Sequence, residues 1–198
     1  MVPRAFCGWN NRFDDPRREY RTLYAAHEPR TALREVLADL RPNAEAIAEF
    51  GRLFGGAGRI PAGLVTWRWR RERALAQGRI APADARLVDL DDLTVRRKLE
   101  REHAHLLATH RLRHLDISEI RSRTRPVTQA ISRSLYDAGA AGVRFRSNLD
   151  DLPCVALFEG RAALEPIGEP LRLTEDLPDL RAVCQEFGLR LGSKEPAT

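Results

Sequence analysis

The 198 residues suffice for one domain with its own core, and 43% hydrophobic with 31% charged residues is a globular composition that excludes a disordered or fibrous chain. A net charge of +5 and a pI of about 9.6 come from arginines scattered among nearly as many acids. With no nucleic-acid motif beside them, they read as a solvated surface or a basic cleft rather than a DNA- or RNA-binding tract.

No apolar run reaches the roughly 20 residues of a membrane span. The opening MVPRAFCGWNN lacks the apolar core of a secretory signal. Cys7, Cys154 and Cys184 are an odd set without metal-type spacing, which favours free thiols in a reducing cytoplasm.

The first ten residues carry Arg4 and little pattern; Arg12-Phe13 follow. From Tyr20 to Ala26 the side chains alternate, with Tyr20, Thr22, Tyr24 and Ala26 on one side and Arg21, Leu23 and Ala25 on the other, as in a strand. His27-Glu28-Pro29 ends it and opens a helix, since proline is tolerated in a first turn. Leu33, Val36, Leu37 and Leu40 form that helix's apolar stripe. Glu35 lies opposite the stripe and faces solvent or a cleft.

Arg41-Pro42 stops the helix, and Asn43 can cap the next, whose apolar face is Ile47, Phe50 and Phe54. Gly55-Gly56-Ala57-Gly58 lacks the lysine and hydroxyl residue of a phosphate loop and reads as a flexible connection. Leu64 to Arg70 alternates like a strand, with Val65, Trp67 and Trp69 on one face. Tryptophans among arginines suit base stacking on single-stranded nucleic acid, but core packing with arginines facing water is the commoner arrangement.

Arg86 to Asp89 is another strand, and the acidic run Asp89–Asp92 caps a helix from Leu93 to Ala108. His103, His105, His110 and His114 cluster there. His110 and His114 have the spacing of a zinc pair, yet Arg-Leu-Arg lies between them and no third ligand is evident, so no metal is expected. Leu115-Asp116-Ile117 reads as a short strand. Pro126 to Ala138 is a helix with Val127, Ile131, Leu135 and Ala138 on one face, closed by Gly139. Val143 to Ser147 is a strand that places Val143, Phe145 and Ser147 on one side, and the turn at 148–153 returns it into Cys154–Phe158 as a hairpin. A last helix, Pro178–Phe187, shows Leu180, Val183, Cys184 and Phe187 at core spacing before Gly188. Residues 1–192 form one mixed domain, and 193–198 are an expected disordered tail.

Arg12-Phe13, Leu23-Tyr24-Ala25 and Ala32-Leu33-Arg34-Glu35, followed by Thr128-Gln129-Ala130-Ile131, Gly142-Val143-Arg144-Phe145-Arg146-Ser147 and Ala156-Leu157-Phe158, occur in an order and spacing that resembles the RES-domain family. The family takes its name from an arginine, a glutamate and a serine, here Arg12, Glu35 and Ser147, and the resemblance covers about residues 7–164. It implies an α+β fold resembling the ADP-ribosyltransferases, with a split, twisted β-core, surrounding helices and a cleft for NAD⁺. The implied enzyme breaks the nicotinamide–ribose bond of NAD⁺ as substrate, and known members are toxins of toxin–antitoxin pairs. A helix-turn-helix antitoxin is the implied partner, homodimerisation is expected by analogy, and neither a membrane nor direct nucleic-acid binding is. The family also carries an earlier strand arginine; Arg4 either replaces it from a shortened start or that function is missing.

The residues suit such chemistry. Nicotinamide departure leaves an oxocarbenium-like ribose, which Glu35 can stabilise, or for which it can orient a ribose hydroxyl or activate the acceptor. Arg12 offers a planar fork of donors for paired phosphate oxygens or the nicotinamide carbonyl. Tyr24 is placed to stack on the nicotinamide ring, Ser147 to bond the carboxamide or a ribose hydroxyl, and Arg21 and Tyr20 to assist. Phe145 stands where many relatives carry tyrosine, so a hydroxyl role is lost there. Against each stands a plainer role: Arg12 paired with Asp14 or Asp15, Glu35 with Arg34 or Arg41, Ser147 opening a turn. Water, phosphate or a protein side chain are all open as acceptors. A basic nucleic-acid module, or an inactive relative acting as an interaction partner, are the readings without NAD⁺ chemistry.

Overall fold

A computed structural model describes residues 8–54, 63–122 and 125–193. In chain order the elements are β1 (Thr22–Ala26), α1 (Pro29–Leu37) with a 3₁₀ turn (Ala38–Leu40), α2 (Ala44–Phe54), β2 (Gly63–Val65), α3 (Trp67–Arg71), β3 (Ala74–Ala81), β4 (Leu87–Asp89), α4 (Leu93–Glu102), α5 (Ala104–Thr109), α6 (Ile117–Arg121), α7 (Arg125–Asp137), β5 (Gly142–Arg146), β6 (Pro153–Phe158), β7 (Ala163–Arg172), α8 (Pro178–Phe187) and β8 (Leu189–Leu191). The fold is α+β, as expected. Arg4, Cys7, the glycine run 55–58, the side chain of Phe54 and residues 194–198 lie outside the described residues.

Two compact units share the chain. One holds the chain up to His27 together with Gly78–Pro166; the other holds Glu28–Gln77 and the chain from Ile167 on.

The first unit is built on a four-stranded sheet of order β1-β6-β5-β4. β5 and β6 form the expected antiparallel hairpin, with Phe145 opposite Cys154, and β1 adds antiparallel to β6, with Tyr24 opposite Ala156. β4 lies parallel to β5, so the chain between them must cross over, and α4 to α7 are that crossover. Alternation sorts the strands' side chains. Val143, Phe145, Cys154, Ala156 and Phe158 face the main core with Phe13, Tyr20, Leu90, Leu99, Val127 and Ile131. Leu157 lies on the opposite face with Ala141 and Ala162, and Leu23, Leu87 and Val155 pack there. Each large side chain removed from water in this way contributes about 1.5–3 kcal/mol.

In the second unit α1 packs on α8, and β2 pairs parallel with β8. Leu33, Leu37, Val65, Leu180, Val183, Cys184 and Leu189 form its core. Arg30 pairs with Asp179 at 2.8 Å and Arg34 with Glu186 at 2.7 Å, joining the two helices at the surface. Asn43 caps α2 as expected, accepting from the amide of Ala46 at 2.7 Å. Val36 does not belong to the α1 stripe: it is 57% exposed. At about 100° per residue it falls roughly 60° from Leu33, on the far side from Leu37, which is the rim of the buried face.

Three expected elements differ. Trp67–Arg71 is a helix, because Thr66 turns the chain out of β2 and its Oγ1 accepts from the amide of Trp69 at 3.1 Å as an N-cap. Strand alternation would have put Arg70 in water. Instead it is 5% exposed and donates to the Leu173 carbonyl at 3.2 Å, the Gly192 carbonyl and Glu175. The helix after Asp92 breaks at His103 into α4 and α5; Asp92 Oδ1 does cap it, accepting from Thr94 and Val95 at 2.6 and 3.1 Å. Ile117 opens α6 rather than ending a strand. β3, β7 and β8 carry no alternation strong enough to be read from sequence.

Candidate active site

The loop from Asn11 to Tyr20 carries Arg12, and its backbone is held by carboxylates and hydroxyls rather than by regular pairing. Asp14 Oδ2 accepts from the Asn11 amide at 2.8 Å, and the buried Asp15 accepts from the amides of Arg17 and Glu19 at 3.2 and 2.7 Å. From β1, Thr22 Oγ1 donates to the Phe13 carbonyl at 3.0 Å. Tyr24, next but one on the strand, accepts from the Phe13 amide at 2.8 Å and donates to Asp14 Oδ1 at 3.1 Å. Burial, and after it the neighbouring Asp14 charge, push the Tyr24 phenol well above its usual range, so it stays a donor.

These bonds bring Arg12 and Tyr24 to one aromatic cluster. The Arg12 guanidinium lies 5.4 Å from the centre of the Phe145 ring, a cation–π distance. Phe145 in turn tilts against Phe13 at 4.9 Å and meets Tyr24 edge-on at 6.5 Å. Ser147 follows two residues along, beyond the end of β5, and is fully buried. Its amide donates to the Leu152 carbonyl at 3.0 Å and its Oγ accepts from the Leu149 amide at 3.0 Å, so it also shapes the turn into β6.

The two secondary candidates are engaged within the same unit. Arg21 forks onto Glu159 through Nε, at 2.8 Å, and Nη2, and its own amide donates to the same carboxylate at 3.0 Å. Tyr20 is 2% exposed and stacks on Tyr136 with ring centres 3.9 Å apart. Glu35 belongs to the second unit. It is exposed on α1, on the side away from Leu33 and Leu37, as its spacing requires.

Asp14 and Asp15 are the residues sequence reasoning undervalued. The sequence offers them only as partners for Arg12; both are buried, and they serve the loop's amides and Tyr24. The signal was present in the paired acids before Pro16, a composition that favours side-chain-to-backbone turns.

Elsewhere, Trp67 and Trp69 have arginines on their rings: Arg71 at 4.7 Å and Arg73 at 4.6 Å. Trp69 also packs on the second unit's core. Among the described residues no group of three histidine, cysteine or carboxylate side chains could hold a metal ion, and no helix is long and apolar enough to cross a membrane. His114 instead lies 3.4 Å from Glu100, whose carboxyl is held below its usual range mainly by the Leu115 amide.

A protein-family model described as the RES domain matches residues 4–176, a span that contains Arg12, Glu35 and Ser147. No curated protein and no solved structure matches the chain.

Proposed function

The chain belongs to the RES-domain family, a family of NAD-related toxin domains, and from that premise we propose that it degrades NAD⁺ by cleaving the nicotinamide–ribose bond. The observation that carries this reading is the family match over residues 4–176, a span that contains Arg12, Glu35 and Ser147, joined to the clustering of Arg12 and Tyr24 on Phe145 two residues before Ser147.

In the proposed reaction the bond from the ribose anomeric carbon to the pyridinium nitrogen breaks, and nicotinamide leaves as a neutral molecule with the bonding electron pair. The ribose carries the positive charge until an acceptor oxygen bonds to the anomeric carbon and gives up its proton. Arg12 holds the pyrophosphate or the nicotinamide carbonyl, since a guanidinium suits paired oxygens and its charge is undiminished at any working pH. Tyr24 offers an aromatic edge held still by its bonds to Phe13 and Asp14, which lowers the entropy cost of ordering it. Glu35 supplies the negative charge that the cationic ribose needs. Ser147 orients the carboxamide or a ribose hydroxyl. Tyr20 and Arg21 act as framework for the loop and for β1.

The acceptor is water or phosphate; transfer to a protein side chain is the alternative within the same chemistry. An ADP-ribosyltransferase-like fold, a cytoplasmic site of action, a helix-turn-helix antitoxin that covers the site and a homodimer belong to the same proposal. A nucleic-acid role has less support, because Arg71 and Arg73 already occupy positions over the tryptophan rings.

The test is release of nicotinamide from NAD⁺ by purified protein, with and without phosphate, for wild type and for Arg12→Ala, Glu35→Ala and Ser147→Ala checked for folding. Turnover that the variants lose supports the reading, and phosphate dependence names the acceptor. Well-folded wild type that leaves NAD⁺ intact, also with protein acceptors present, overturns it; salt-dependent oligonucleotide binding would then point to the nucleic-acid reading.

A further inference from the structure

One face of α7 is a polar ladder laid against the Arg12 loop. Gln129, Ser132, Arg133 and Tyr136 recur at i, i+3, i+4 and i+7, the spacing of a single helix face. Gln129 Nε2 donates to the carbonyls of Trp9 at 3.2 Å and Asn11 at 3.0 Å. Ser132 Oγ donates to the Phe13 carbonyl at 2.9 Å. Arg133 pairs with Asp15 at 3.4 Å and with Glu19, and Tyr136 stacks on Tyr20. Loop and helix therefore run side by side in the same direction, rung by rung from Trp9 to Tyr20.

The two carbonyls that flank Arg12, those of Asn11 and Phe13, are both held by this helix. They are not held equally. Phe13 has a second donor in Thr22 Oγ1 and gives its amide to Tyr24, so it keeps anchors on β1 when Ser132 is lost. On the other side of Arg12, the Asn11 carbonyl accepts from the Asp14 amide at 3.3 Å and the Asn11 amide donates to Asp14 Oδ2, both contacts within the loop, while the carbonyl's bond to α7 comes from Gln129. The same Gln129 amide nitrogen also gathers in Trp9, whose φ of 54° is a left-handed value that side chains other than glycine, asparagine and aspartate adopt at a cost. Both hydrogens of the Gln129 amide are spent on these two carbonyls.

We infer that Gln129 is a positioning residue for Arg12: it sets the path of the chain entering Arg12 and so the place from which the guanidinium meets the substrate's oxygens. The inference rests on the proposed NAD⁺ chemistry for its kinetic consequence, but its structural half can be read without turnover. A lost clamp weakens a substrate grip more than a chemical step, because Arg12 holds parts of NAD⁺ that do not react.

The experiment compares wild type with Gln129→Met, which keeps the side-chain bulk and removes both donors. Hydrogen exchange at the amides of residues 11–14 should quicken about tenfold or more while those of β5 and β6 keep their wild-type rates. For NAD⁺ the KM should rise about tenfold with kcat changed less than threefold. In an Arg12→Lys background the same Gln129→Met change should cost less than threefold, since the two act through one contact. Unchanged exchange in the loop overturns the inference whatever the enzyme does. So does a loss of equal size in both backgrounds, or a loss confined to kcat. If wild type consumes no NAD⁺, the functional reading falls and the exchange data alone judge the clamp.

Discussion

The hydroxyl of Tyr24 donates to Asp14 Oδ1 at 3.1 Å while the amide of Phe13 donates to it at 2.8 Å, so a single phenol oxygen ties β1 to Phe13 and Asp14 together. Removing it leaves a buried carboxylate and a buried amide short of a partner each. Tyr24→Phe should destabilise by about 1–3 kcal/mol, measured by urea denaturation at neutral pH.

The same phenol gives a pH signature. Its folded pKa lies well above the usual 10 because burial disfavours the phenolate. The folded state therefore holds the proton more tightly than the unfolded chain, and this stabilisation is complete below about pH 10 and lost as pH rises above it. Tyr24→Phe should lose stability more slowly than wild type between pH 9 and 11. The slope should not vanish, since burial raises the Tyr20 phenol in the same direction. Equal slopes in the two proteins would contradict the burial argument.

Under the proposed NAD⁺ chemistry, Glu35 should separate catalysis from stability. It is exposed on α1 and faces away from the core residues Leu33 and Leu37. Glu35→Gln keeps the shape and removes the charge, so stability should stay within about 0.5 kcal/mol of wild type. Nicotinamide release should fall on the order of 10²-fold or more if the carboxylate faces the cationic ribose. A variant that turns over NAD⁺ at the wild-type rate would remove Glu35 from the mechanism.

Gly142 opens β5 opposite Leu157 of β6. A Cβ there would lie 2.3 Å from the Ala156 carbonyl oxygen and 3.1 Å from the Leu157 Cα, both backbone atoms of β6. Neither can yield without disturbing the sheet, so Gly142→Ala should cost about 3 kcal/mol. Gly160 has a φ of 77° but open space around it. Gly160→Ala should therefore cost only about 1–2 kcal/mol, the left-handed backbone penalty. Thermal or urea unfolding of the pair distinguishes steric contact from backbone strain.

His103 makes the opposite pH prediction. It sits at the break between α4 and α5, and burial lowers its pKa below 6.5, with Glu102 pulling weakly the other way. The unfolded chain then takes up the proton more readily, so stability is full above about pH 6.5 and falls as pH drops below it. His103→Gln should make the urea midpoint less sensitive to pH between 7.5 and 5.5, a window above that of the carboxylates.

Much of this protein was legible locally. β1, α7, α8 and the β5–β6 hairpin announce themselves because one buried face imposes a period of 2 or 3.6 on consecutive residues. Glu35's exposure and Ser147's place on the buried side of β5 follow from the same counting. Alternation failed at Trp67–Arg71, where the pattern is that of a strand but Thr66 caps a helix turn and Arg70 finds two carbonyls and a carboxylate from the C-terminal part of the chain. No reading of neighbours along the chain reveals such partners. β3, β7 and β8 were missed for a related reason: their partner strands lie far away in sequence, the side chains of β7 are almost all exposed, and β8 is only three residues long.

The site divides the same way. Residue type and order determined that Arg12, Tyr24, Glu35 and Ser147 were worth naming, because charge, ring and hydroxyl are properties a residue carries with it. Tertiary structure alone decided that Asp14 and Asp15 serve the loop's backbone, that Tyr20 is buried against Tyr136, and that Gln129 grips the chain beside Arg12. A hydrogen bond needs its donor and acceptor about 3 Å apart, and only the packing of α7 along the loop brings residues more than a hundred positions apart to that distance.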